Sequence, residues 1–196
     1  MENRRKTLFH DGHRALQDRF DGRRLADALE RQFRAETFAP DHIALIENAE
    51  FFFLATAHED SVDCSFKGGP PGFVRVTGPR TLEWPDYDGN SMYRSLGNLA
   101  RSPRAGLLFM RFDGTPVRLR VNGLCDLVET PGAKLTVRLE ADEIFPNCPR
   151  YIKDIARGAA SQYLPSENGA GPKPDWKTRP ELAQTLPIND PHKADD

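Results

Sequence analysis

The sequence predicts a mainly β fold with flanking helices, its strands rolled into a small antiparallel barrel. Three observations predict it. Apolar residues change from helical spacing to strand spacing at Phe51, six strand-like runs follow within about ninety residues, and only one helical run interrupts them. Closing such a sheet removes the exposed edges that would otherwise invite pairing with other chains.

The elements follow in order. Leu25, Leu29 and Phe33 recur every four positions in a charged segment, giving one apolar stripe on a helix over 24–33, with Asp21-Gly22 as its start signal. Pro40-Asp41 opens a second short helix through Ile43 and Ile46, since proline fits a first helical turn. Phe51–Ala57 and Arg104–Phe112 are apolar enough to be buried strands. Val117–Asn122 and Lys134–Ala141 alternate strictly, so one face of each meets a core. Gly123 marks a bulge or bend that lets its strand continue through Leu127. Shorter strands are expected at Phe73–Thr77 and Thr81–Trp84, joined by Gly78-Pro79. The run Met92, Leu96, Leu99 shares one face of the intervening helix, with Asn90 as its N-cap.

The ends differ from this middle. The 33 residues from Leu164 hold six of the 16 prolines and one aromatic, Trp176. Proline removes backbone donors, and the polarity leaves little apolar surface to offset ordering entropy, so a disordered extension is expected. The alternative is an arm anchored on a neighbouring subunit by Trp176 or Leu186. The organisation predicted is a helical segment 1–48 on the barrel, a barrel domain 49–155, and an extension 156–196 that is largely disordered from about 164.

Composition excludes several classes. With 27 Lys+Arg against 29 Asp+Glu, the charge of −2 lacks the footprint of a nucleic-acid-coating protein. No run approaches the roughly 18 apolar residues of a membrane span, and the basic start has no apolar stretch behind it, so neither a membrane nor a signal peptide is expected. Cys64, Cys125 and Cys148 are odd in number, widely spaced and without zinc-type histidine spacing, which predicts reduced thiols, no metal and a cytoplasmic location. The mean hydropathy of −0.60 is low for a globular domain, consistent with part of the chain lying outside the core.

Candidate chemistry concentrates between Asp63 and Asn98. Lys67-Gly68-Gly69-Pro70-Pro71-Gly72 reads as a loop with close backbone access and one cation; it is no P-loop, and a simple turn is the competing reading. Gly89-Asn90-Ser91 opens the helix, and such a start either takes an anion on its free N–H groups or is only a cap. Arg118 and Arg120 share one side of a strand, as solvated charges or as partners for a carboxylate or cofactor. Pro146 and Pro149 stiffen the segment that presents Arg150 and Tyr151.

Together, Ser65, Lys67, Gly68, Gly69, Gly72, Phe73, Val74, Val76, Pro85, Asp86, Tyr87, Gly89, Asn90, Gly97 and Asn98 form an ordered pattern. It resembles the pyridoxamine 5'-phosphate oxidase-like, FMN-binding split-barrel superfamily, in a branch of predicted FMN-dependent proteins. The resemblance covers roughly 40–155, through Leu107–Phe109 and Arg118–Gly123 to Tyr151. It implies a six-stranded antiparallel split β-barrel and a homodimer with FMN at the subunit boundary. It implies that Phe73, Val74, Arg75 and Val76 line the flavin ring through their backbone and that Trp84, Pro85, Asp86, Asn90 and Ser91 hold the ribityl and phosphate end. Arg120, Arg150 and Tyr151 become cofactor-side candidates. The Ser-Arg-Lys phosphate grip of the true pyridoxamine phosphate oxidases is replaced by Gly89-Asn90-Ser91, so the cation must come from Lys67, Arg75, Arg94 or Arg150. The vitamin B6 activity is not carried over, because the C-terminal substrate residues of those enzymes give way to the proline-rich extension.

The expected function is therefore an FMN-dependent oxidoreductase acting on an unidentified small molecule. Flavin carries the hydride chemistry, which agrees with the absence of a triad or paired carboxylates in the strand region. No catalytic side chain is singled out. The alternatives are a flavin- or haem-binding module without turnover, with His58 as axial ligand, or a purely structural barrel. No dinucleotide fingerprint identifies the reductant.

Overall fold

The structure is a computed structural model that describes residues 7–87, 91–112, 116–130, 133–148, 150–152, 172–188, 190 and 192–193. The chain divides into two compact units, 35–149 and the pair of segments 1–34 and 150–196.

The first unit holds the sheet. Its elements are α3 (Pro40–Glu47), β1 (Phe51–His58), β2 (Ser61–Gly68), β3 (Arg75–Val76), β4 (Thr81–Asp86), α4 (Arg94–Arg101), β5 (Arg104–Arg111), β6 (Val117–Thr130) and β7 (Ala133–Asn147). All pair antiparallel in the order β2-β1-β5-β6-β7-β4-β3. The mainly β class with flanking helices is as expected; among the described residues the strands number seven rather than six, and the sheet is open at β2 and β3.

It is nonetheless strongly curled. Four inter-strand steps separate β1 from β4, which in a flat sheet would put them about 19 Å apart. Phe52 of β1 and Trp84 of β4 instead meet edge to face, ring centroids 5.3 Å apart at 77°. The long β6–β7 hairpin makes this curl. β6 pairs with β5 over Val117–Leu124, whereas β7 pairs with β4 over Leu135–Glu140. Within the β6–β7 ribbon the register shifts at Asn122/Gly123, a bulge that bends the ribbon. Glycine is required there, because a Cβ on Gly123 would run into the Glu140 carbonyl oxygen. The enclosed core holds Ile46, Phe52, Leu54, Leu82, Trp84, Leu107, Phe109, Val121, Val137 and Ile144, all at most 2% exposed.

Three expectations change in this unit. Lys67-Gly68 lies at the end of β2, a strand not anticipated, and only Gly69 to Gly72 forms the loop. The strand expected at Phe73–Thr77 shrinks to Arg75–Val76, while Val74 is buried in the core at 0% exposure. The helix expected from Asn90 starts instead at Arg94 with Tyr93 as N-cap, left-handed at φ 48°. Asn90, with Asp88 and Gly89, lies outside the described residues.

The second unit contains α1 (Asp11–Arg19), α2 (Arg23–Phe33), a 3-10 turn (Asp175–Thr178) and α5 (Pro180–Ala183). The described part of the extension, expected to be disordered, contains this 3-10 turn and α5. Leu182 and Leu186, four positions apart, are each 1% exposed, and Lys177 is enclosed beside Asp190. Gln32 on α2 donates to Glu181 at 3.1 Å, and Asp21 accepts the Ile188 N–H at 2.9 Å. Among the described residues, no helix is long and apolar enough to cross a membrane.

Candidate functional site

A cleft of about 420 Å³ opens in the sheet unit between β2, the end of β4 and the first turn of α4. β2 is an edge strand whose polar residues Asp63, Ser65 and Lys67 face the cleft, because they alternate with Val62, Cys64 and Phe66. Trp84, Pro85 and Asp86 enter from β4, followed by Tyr87. Phe73 stacks on Phe52 at 6.0 Å and on Tyr87 at 6.4 Å, so an aromatic row runs from the core to the mouth. Gly69 permits this, since a Cβ there would sit 2.6 Å from the Phe73 ring.

The opposite wall is Ser91, Met92 and Tyr93 leading into Arg94, Ser95 and Leu96. Ser91 and Tyr93 both have positive φ, 60° and 48°, a conformation that L-residues adopt at some cost. The first bond closing the helix runs from the Gly97 N–H to the Tyr93 carbonyl at 2.6 Å. The N–H groups of Arg94, Ser95 and Leu96 therefore have no acceptor within the helix, and the positive end of its dipole faces the cleft.

Side-chain contacts hold α4 in place. Asn98, 7% exposed, donates to Thr56 of β1 at 3.3 Å. Ser95 donates to Asp63 at 2.7 Å and lies 2.9 Å from the Ser65 hydroxyl. Arg94 reaches Asp63 at 3.5 Å and the Val62 carbonyl at 3.3 Å. Lys67 and Arg94 are the cations of the cleft, Asp63 and Asp86 its carboxylates.

Of the residues expected from sequence, Lys67, Phe73, Trp84, Pro85, Asp86 and Ser91 come together here. Val74 is not among the lining residues, and its side chain is in the core. Arg75 is exposed opposite Glu83, and the Val76 N–H is held by Glu47 at 3.1 Å; neither lines the cleft. Arg120 is exposed on β6 opposite Leu108, away from the lining. Arg150 and Tyr151 belong to the second unit, where the guanidinium lies 4.7 Å from the ring centroid. Of the four cations considered for a phosphate, the cleft keeps Lys67 and Arg94. His58 ends β1 with Nε2 3.9 Å from Glu59 and does not line the cleft. Asp63, Tyr87, Met92, Tyr93, Ser95 and Leu96 also line it and were not singled out as site residues. Among the described residues, no cluster of three metal-ligating side chains occurs.

A curled antiparallel sheet, split along one hairpin and bearing a cleft against the start of a helix, defines a split-barrel protein. Residues 38–167 match the family model described as pyridoxamine 5'-phosphate oxidase, and the chain belongs to that family. No curated protein matches it. Solved structures similar to it include HupZ of Group A Streptococcus, 12% identical over 69% of this chain and 99% of that one, TM-score 0.42. An FMN-binding protein from Syntrophomonas wolfei is 11% identical over 69% and 96% of the two chains, TM-score 0.43. A conserved hypothetical protein of Mycobacterium tuberculosis is 13% identical over 70% and 99%, TM-score 0.46.

Proposed function

We propose that the cleft binds FMN and that the protein is a homodimeric FMN-dependent oxidoreductase acting on a small molecule. One observation carries the reading: an aromatic row and a cationic helix start open on the same cleft. Its volume of about 420 Å³ lies within the span of cofactor pockets. Phe73 and Tyr87 offer ring faces to a flat heterocycle. Lys67, Arg94 and the first N–H groups of α4 offer a phosphate what it requires, positive charge and several donors.

The flavin, when bound, supplies the hydride chemistry. The chain's part is to hold and shield it. Lys67 and Arg94 would neutralise the anion, and Phe73, Trp84 and Tyr87 would exclude water from the ring. Membership of the family supports this assignment, and three unpaired cysteines suit a reducing cytoplasm.

The homodimer rests on the outer face of β1, β2 and β5. Phe51, Phe53, Phe66 and Phe112 cluster there with centroids 5.3–6.2 Å apart, on the side away from the core. Phe66 is 62% exposed and Val62 70%, an apolar patch that a second copy would cover.

Titration of the purified protein with FMN and with riboflavin tests the reading, followed by quenching of flavin fluorescence. Tighter binding of FMN, with the difference shrinking in Lys67→Ala and at high salt, is the expected result. Absence of flavin binding would sink the assignment, and equal affinity for both ligands would move the phosphate out of this cleft.

A further inference from the structure

The outer face of β1, β2, β5 and β6 carries a regular relief. Phe52, Leu54, Leu107, Phe109, Leu119 and Val121 are buried in the core, so the residues that alternate with them point outward. The strand registers line these outward residues up in rows across the sheet. Phe66, Phe53, Leu108 and Arg120 stand opposite one another in one row, a ridge of long side chains. Two positions along each strand, Cys64, Ala55, Gly106 and Asn122 form the next row, a trough.

The polar ends of the two rows are complementary. Among the described residues, Arg120 has no hydrogen-bond or ion-pair partner. Asn122 donates through Nδ2 to Glu143, its neighbour on β7, at 3.0 Å. Its Oδ1 leans over Gly106, 2.9 Å from where a Cβ would stand, and accepts no hydrogen bond among the described residues. The ridge ends on a free cation, and the trough ends on a free acceptor beside a carboxylate.

Two copies packed on this face are related by a two-fold axis lying between them. An axis along β5 would set ridge on ridge, with Leu108 on Leu108 and Phe53 on Arg120, and leave trough facing trough. An axis across the strands, between Phe53 and Phe51, would set those two rings together and bring Arg120 onto Arg118. An axis across the strands between ridge and trough does neither. Phe53 then lies over Ala55 of the second copy, Leu108 over Gly106, and Arg120 over Asn122 and Glu143. One row out, Phe51 faces Ala57 and Gly68 faces Val62. Packed sheets lie about 30° out of alignment, so the match is closest at β1 and β5, in the middle of the face.

We infer that the homodimer packs ridge into trough, its two-fold axis crossing the strands between Phe53 and Ala55. This rests on the homodimer reading given above and supplies its register.

The test is the dimer dissociation constant of the full chain by sedimentation, with circular dichroism to check the fold of each variant. Ala55→Phe fills the trough and should raise the constant at least about a hundredfold, because a two-fold interface repeats the overpacking at two sites. Adding Phe53→Ala exchanges ridge and trough on β1 and should return the constant to within about tenfold of wild type. Arg120→Glu should also dissociate the dimer, since the new carboxylate would face Glu143. Should Ala55→Phe fail to fold, Ala57→Phe with Phe51→Ala poses the same question one row out. A wild-type dimer that Ala55→Phe or Arg120→Glu leaves intact, or that Phe53→Ala fails to restore, overturns this register alone. A wild type that sediments as a monomer at micromolar concentration overturns the homodimer reading and the register with it.

Discussion

The ammonium of Lys177 lies 2.6 Å from the Asp190 carboxylate, with both side chains at most 10% exposed. A pair so enclosed is sensitive to the loss of one member, which strands the other charge without water. Lys177→Ala should cost the second unit about 3–5 kcal/mol, read as lost hydrogen-exchange protection in α2 and α5. The double change Lys177→Met with Asp190→Leu should recover most of it, because no charge is left buried. Unaltered protection in Lys177→Ala would show the pair to be idle.

The same carboxyl gives a pH signature. Burial alone would raise the Asp190 pKa, but the Lys177 ammonium and the His192 N–H outweigh it and hold it below the usual carboxylate range. A depressed folded value means stability that is present in full above the unfolded carboxyl range and is lost as pH falls through the folded value. Melting temperature should drop more steeply in wild type than in Asp190→Asn between about pH 5 and pH 3. Parallel curves would remove Asp190 from the account.

Two glycines should respond oppositely to alanine. At Gly123 the added Cβ meets the backbone of Glu140, which cannot yield without breaking the bulge, so Gly123→Ala should destabilise by about 1–3 kcal/mol. At Gly97, inside α4, nothing lies within 4 Å of the added atom, and Gly97→Ala should stabilise by about 0.5–1 kcal/mol. Denaturant midpoints of the two variants decide it. Equal shifts of one sign would mean the bulge is not sterically set.

Thiol labelling reports both core and dimer. Burial, helped by the neighbouring Asp126 charge, pushes the Cys125 thiol up to about 12, so it stays protonated and inert until the sheet unfolds. Cys64 is exposed on β2 between Val62 and Phe66, the patch assigned to a second copy. Maleimide should modify Cys64 slowly in the dimer and quickly in Phe66→Glu, whose sedimentation should be monomeric. Fast labelling of wild-type Cys64, with a monomer at micromolar concentration, would place the dimer contact elsewhere or abolish it.

Much of the fold was legible because the core obeys simple periods. Leu25, Leu29 and Phe33 marked α2, Pro40 marked α3, and the bulge was written in Gly123. β2 escaped for a physical reason. Its alternation is intact but inverted, with Val62, Cys64 and Phe66 outward and Asp63, Ser65 and Lys67 inward. A search for apolar residues facing a core passes over a strand whose polar face lines a cleft. α1 escaped because it buries none of its residues and is fixed by its His10 cap and the Arg14–Asp27 pair at 2.7 Å. β7 runs past Ala141 through Pro146, which is tolerated because β4 flanks only Leu135–Glu140 and leaves no second partner for the missing N–H.

The lining of the candidate cleft was legible in part. Lys67, Phe73, Trp84, Pro85, Asp86 and Ser91 belong to an ordered motif and converge on the cleft. Arg75, Val76 and Arg120 stood near the motif in sequence, but strand alternation and sheet position turn them elsewhere. Ser95 and Asp63 carried no signal of their own; 32 positions apart, they meet only because α4 lies across β2.

The division of the chain also bears on its synthesis. Gln32 and Glu181, which bond across α2 and α5, are 149 positions apart. At a translation rate of 5–20 residues per second, roughly 7–30 s pass between their appearances. The sheet segment 35–149 emerges entire within that interval, so α1 and α2 leave the ribosome long before Leu182 and Leu186 exist to join them. The second unit is closed last, from segments that precede and follow the sheet.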